Sequence, residues 1–74
     1  MTVTLKLKSG LDKFLSKQVV QCEICDDKKV VDVLKQVKFP VDMAGIIVVD
    51  GKRCSIDSVL HGGELVKIFP PAFN

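Results

Sequence analysis

Hydrophobic and polar side chains alternate strictly from Thr2 to Lys8, with Val3, Leu5 and Leu7 on one side and Thr4, Lys6 and Lys8 on the other. A period of two predicts a β-strand with one buried face, and Ser9-Gly10 ends it. The same period resumes over Val19 to Cys25, with Val20, Cys22 and Ile24 as the inward set. Strand, link and strand predict a hairpin joined by a long link. The period then changes. Val30, Val33, Leu34 and Val37 fall at i, i+3, i+4 and i+7, one stripe of an amphipathic helix. Asp26 and Asp27 precede the stripe and Lys35 and Lys38 close it, an order that suits the helix dipole. The β-branched valines have poor helix propensity, so this helix must be held by packing. Pro40 stops it and pushes Phe39 outside the helical region.

Gly45 to Val49 is an almost wholly apolar, β-branched run, which predicts a strand covered on both faces. Asp50-Gly51 suits a type I′ hairpin, with a short return strand around Arg53-Cys54 and a helical turn over Ile56 to Leu60. His61-Gly62-Gly63 reads as a second turn. Glu64 to Phe69 is the last strand, with Val66 and Ile68 inward, and Pro70-Pro71 ends it. The order is strand, strand, helix, strand, strand, strand. The expected fold class is α+β: a single β-grasp domain over residues 1–74, a mixed sheet of about four or five strands packed on one main helix.

Composition narrows the functional classes. A chain of 74 residues makes one small domain, and 47% hydrophobic content is too apolar for a disordered tail. No apolar run approaches about 18 residues, so no membrane span is expected, and the alternating N-terminus lacks the apolar block of a secretion signal. Three cysteines, an odd number, point to a reducing cytoplasm. A net charge of +2 with no Trp or Tyr argues against nucleic acid.

The candidate chemistry is sparse. Cys22-Glu23-Ile24-Cys25 has C-x-x-C spacing, but strand residues i and i+3 point to opposite faces and cannot share one metal without a local turn. Cys22 is expected in the core, with Cys25 as the exposed thiol. His61, the single histidine, lies in a Gly-rich turn, and Gly62-Gly63 precedes a strand where a phosphate cradle would precede a helix. The acidic residues show no spacing that fixes a carboxylate pair. The expectation is a protein that is not an enzyme and holds no metal or cofactor.

One feature suggests a partner. The outward set of the last strand is Leu65, Lys67 and Phe69, followed by Pro70, Pro71 and Phe73. Large apolar groups and a stiff proline pair on a solvent face suggest a docking patch. If the first strand lies beside the last, Lys6 and Lys8 rim it. The competing reading folds Phe69 over the sheet edge into the core. An exposed apolar strand also makes a homodimer possible.

The segment from Val48 to Pro71 resembles the MoaD/ThiS sulfur-carrier proteins. Asp50-Gly51 matches that family's hairpin, Gly63-Glu64 stands where Gly-Asp is usual, and Phe69-Pro70-Pro71 matches the family's final-strand ending as it stands. The resemblance implies a β-grasp carrier whose C-terminal Gly-Gly tail is adenylated and converted to a thiocarboxylate for molybdopterin, thiazole (thiamine) or related sulfur transfer. The implied partner is an adenylating enzyme, a synthase subunit or a cofactor enzyme. Here Ala72-Phe73-Asn74 follows Pro71, with no terminal diglycine. The expectation is therefore a carrier-family protein that docks on a partner without being a competent carrier as written. The alternative is a genuine sulfur carrier with a truncated or altered C-terminus.

Overall fold

The computed structural model of the chain describes residues 1–8 and 10–71, the side chain of Asp12 excepted. The first alternating segment is strand β1 (Thr2–Leu7) and the second is β2 (Val19–Glu23). They pair antiparallel, Val3 opposite Cys22 and Leu5 opposite Val20, so the two inward sets meet on one face. The link between them does more than close a hairpin. A 3-10 turn at Leu11–Phe14 buries Leu11 in the core and sets the Phe14 ring edge-on to Phe39, with centroids 5.8 Å apart.

The helical stripe forms α1 (Val30–Gln36), whose Val30, Val33 and Leu34 are fully buried. Val37 packs partly against the same core, and Phe39 lies beyond the helix and is buried. Asp26 and Asp27 do not serve the helix N-terminus as expected. A two-residue strand, β3 (Lys28–Lys29), intervenes, and Lys29 precedes the helix with no side-chain cap. Asp26 instead pairs with Lys28 and Asp27 with His61.

The apolar run forms β4 (Ile46–Val49), and the return strand β5 (Lys52–Cys54) pairs with it antiparallel. Asp50 and Gly51 both have positive φ, 50° and 85°, as a type I′ turn demands. Two readings are corrected here. Residues 56–60 do not form a helical turn: Val59–Leu60 is a short strand, β6, paired with β3. Leu60 is fully buried, and burying that side chain favours an extended segment that meets the strand leading into α1. Nor is β4 covered on both faces. Ile47 is buried, but Ile46 and Val48 are only half-buried, because α1 packs on one side of the sheet alone.

The last strand, β7 (Leu65–Phe69), lies in the middle of a five-stranded sheet of order β2-β1-β7-β4-β5. It runs parallel to β1 and antiparallel to β4. The inward residues Val3, Leu5, Val66, Ile68 and Ile47 join Val30, Val33 and Leu34 of the helix in one continuous core. This is the expected α+β architecture, a mixed sheet packed on one helix. No helix of the described residues is long and apolar enough to cross a membrane.

Candidate functional site

Alternation along β7 puts Val66 and Ile68, both fully buried, on the helix side and Leu65, Lys67 and Phe69 on the opposite, outer side. Leu65, Lys67 and Phe69 are half-buried there, shaded by strands on either side. Phe69 does not plug the core: it takes no part in the buried cluster or in the ring of side chains packed against it. Pro70 and Pro71 continue from the strand and are half-buried as well. Phe73 lies outside the described residues.

Cross-strand partners point to the same face of a sheet, so register extends this set sideways. Thr4 stands opposite Leu65, and Lys6 opposite Lys67. On the other flank Ile46 stands opposite Phe69, and Val48 opposite Lys67. Val19 adjoins Lys6, and Arg53 adjoins Val48. One transverse row therefore runs Val19, Lys6, Lys67, Val48, Arg53 across all the strands of the sheet. Lys6 stands within this face between Val19 and Lys67, and the backbone N–H of Lys8 donates to the Ile68 carbonyl at 2.9 Å, extending the β1–β7 pairing past Leu7. Sequence reasoning missed Ile46, Val48 and Arg53. The alternation Ile46-Ile47-Val48 carried the signal, but an all-apolar run hides which residues face out.

Two devices fix where β7 begins and ends. At its start, the backbone N–H of Leu65 donates to Asp50 Oδ1 at 2.9 Å. Just before it, Glu64 accepts the N–H of His61 and of Gly62, each at 2.7 Å. Burial pushes the Glu64 carboxyl up, but these backbone donors and the nearby His61 outweigh that and hold it below its ordinary value. This gives a physical reason for an acidic residue after the Gly62-Gly63 turn. At the far end the Gly45 N–H donates to the Phe69 carbonyl at 2.8 Å. A Cβ on Gly45 would overlap the Pro71 backbone and lie 2.7 Å from the Pro70 carbonyl carbon. Only a glycine lets Pro70-Pro71 lie in that seat.

The remaining candidates are scattered. Cys22 is buried, and burial pushes its thiol up, with Glu23 adding to the effect. Cys25 is exposed and Cys54 lies on another strand, so the C-x-x-C pair does not converge. No group of three or more His, Cys, Asp or Glu side chains among the described residues could hold a metal ion. His61 is exposed in its turn but has a partner. Its Nδ1 lies 3.0 Å from Asp27 Oδ1, and that hydrogen bond, with the Asp27 charge, raises its pKa.

Solved structures similar to this chain are themselves small. A protein described as molybdopterin converting factor, subunit 1, from Pyrococcus furiosus matches with a TM-score of 0.77 at 22% identity, covering 96% of this chain and 98% of that one. The HVO 2177 protein of Haloferax volcanii matches with a TM-score of 0.81 at 17% identity, over 99% and 85% of the two chains. Small archaeal modifier protein 1 of H. volcanii matches with a TM-score of 0.78 at 15% identity, over 96% and 98%. The fold is the ubiquitin-like β-grasp. No family model matches the sequence, and no curated protein does. In β-grasp terms the outer face is the side of the sheet away from the helix, and Pro70-Pro71 continue from the end of the central strand β7 beside Gly45.

Proposed function

We propose that this β-grasp protein belongs with the MoaD/ThiS-like sulfur carriers and small modifiers, and that it acts by docking on a protein partner, not as a catalyst. The docking face is Leu65, Lys67 and Phe69, extended by Pro70, Pro71 and Phe73. The partner is an adenylating enzyme, a synthase subunit or a cofactor enzyme. The observation that carries this reading is the outer face itself. Its half-buried apolar residues from β7 and β4 lie in register, on the side the helix leaves uncovered. Three free cysteines suit a reducing cytoplasm as the place of action.

A second reading, sulfur carriage itself, is favoured by the seat at Gly45, which directs the segment after Phe69 along a defined path. A carrier needs its C-terminal segment presented in that way. The tail chemistry is tested separately: a variant with Gly-Gly appended after Pro71 should form an ATP-dependent adenylate with a MoaD/ThiS-type activating enzyme.

Docking is tested by calorimetric titration of the chain into the adenylating enzyme, the synthase subunit and the cofactor enzyme of the same cells. Binding by wild type, with at least about tenfold loss in Phe69→Ala, is expected for a central aromatic of an interface. Absence of binding to all three proteins, or equal binding by the variant, would refute the reading.

A further inference from the structure

The outer face is basic as well as apolar. Lys6, Lys67 and Arg53 stand in one transverse row, Lys6 directly opposite Lys67 and Arg53 across Val48 from it. Like charges opposite each other on neighbouring strands are unfavourable. Among the described residues none of the three has a carboxylate within ion-pair distance. This is not a shortage of acidic groups, since the chain carries nine against eleven basic ones.

Five of these acidic groups are engaged with other partners. Glu23 accepts from the Thr2 hydroxyl and the Met1 amino group. Asp26 and Asp27 pair with Lys28 and His61. Asp50 and Glu64 turn to backbone N–H groups. Glu23 shares the outer face, opposite Thr2, but its carboxylate is taken up there by Met1 and Thr2, away from the basic row. At the β2 side of the row a cleft of about 220 Å³ opens, lined by Lys6, Leu7, Lys8, Gln18 and Val19. Two of its lining residues are lysines, which suits a carboxylate side chain.

We propose that the partner surface docking on this face bears carboxylate side chains set among apolar ones. This rests on the docking reading above and adds the partner's charge. Val48 lies between Lys67 and Arg53, and Leu65 and Phe69 flank Lys67 along β7, which favours a protein over a nucleic acid. Phosphate backbones are held by charge, and bases by aromatic platforms, of which the described face offers Phe69 alone. Acidic and apolar groups together match both components of the row.

The test is a nuclear magnetic resonance titration of the full chain with three probes. They are a synthetic peptide alternating Glu with Leu and Phe, the same peptide with Gln for Glu, and single-stranded oligo-dT. The Glu peptide should shift the resonances of Lys6, Val48, Arg53 and Lys67 and bind about tenfold more tightly than the Gln peptide at low salt. That difference should vanish near about 1 M salt, where screening acts within about 3 Å. It should also vanish in the K6Q/R53Q/K67Q variant; the single Lys67→Gln change, at a half-buried position outside the core, should remove part of it in a chain that stays folded. Equal affinity for the two peptides on the outer face would overturn the charge inference and leave the docking face standing. Binding of neither peptide there would overturn both. A stronger response to oligo-dT than to the Glu peptide would overturn the inference in favour of nucleic acid.

Discussion

Ile68 and Phe69 are adjacent in sequence and sit on opposite faces of the central strand, so truncating each to alanine separates core from surface. Ile68 is fully buried between sheet and helix, and removing its side chain should cost about 2–5 kcal/mol in lost transfer energy and cavity. Phe69 lies outside the core, half-buried opposite Ile46. Its truncation forfeits one cross-strand pair, worth about 0.2–1 kcal/mol, and a fraction of the roughly 1.5–3 kcal/mol that full burial of the ring would bring. The expected loss is about 1 kcal/mol. A chain of 74 residues has a total stability of roughly 4–11 kcal/mol, so Phe69→Ala should remain folded while Ile68→Ala is marginal. Urea denaturation reads this directly. With a slope of about 1 kcal/mol per molar, the Phe69→Ala midpoint should fall by about 1 M and that of Ile68→Ala by at least twice as much. A loss of about 3 kcal/mol or more in Phe69→Ala, at unchanged slope, would refute the separation of faces and restore the ring as a core plug.

Further outcomes follow from other parts of the structure. Gly45→Ala should cost about 1–3 kcal/mol as an overpacked contact and shift the carbon resonances of Phe69, Pro70 and Pro71, because a rigid backbone occupies the space a Cβ needs. His61 should titrate above about 6.5, since Asp27 raises its pKa. A folded-state value above the unfolded one means the tie is fully present below the unfolded pKa and is lost as pH rises through the folded one; a proton-resonance titration, with Asp27→Asn returning His61 toward its ordinary value, checks this. Iodoacetamide should label Cys25 within minutes and Cys22 only on unfolding, as mass spectrometry of a time course would reveal, because Cys22 is 3% exposed and Cys25 is open to solvent.

The elements with a clean period were legible from sequence because one physical demand fixed them. The alternation in β1 and β7 and the 3.6-residue stripe of α1 each answer to a single buried face. Asp50-Gly51 was legible because few dipeptides accept positive φ twice in succession. What escaped answers to tertiary context. The two-residue strands β3 and β6 are too short to show any period; they exist because Leu60 finds the core and Lys28 a pairing edge. Asp27 looked like a helix-terminal charge, but the fold brings His61 to it from the turn before β7. In the candidate site, Leu65, Lys67 and Phe69 could be read from alternation alone. Ile46, Val48 and Arg53 could not, since register across three strands brings them onto the face. The basic row was invisible for the same reason: Lys6, Lys67 and Arg53 are far apart in sequence, and a near-neutral total hides their alignment.

The central claim is that a protein partner covers the outer face of the sheet. Amide hydrogen exchange of the chain, free and bound to the adenylating enzyme, tests this most directly. The account predicts that protection on binding gathers on Lys6, Ile46, Val48 and Leu65 to Phe69, leaving α1 unchanged. Protection confined to α1 and the Leu11–Phe14 turn, with the outer face unaltered, would contradict it.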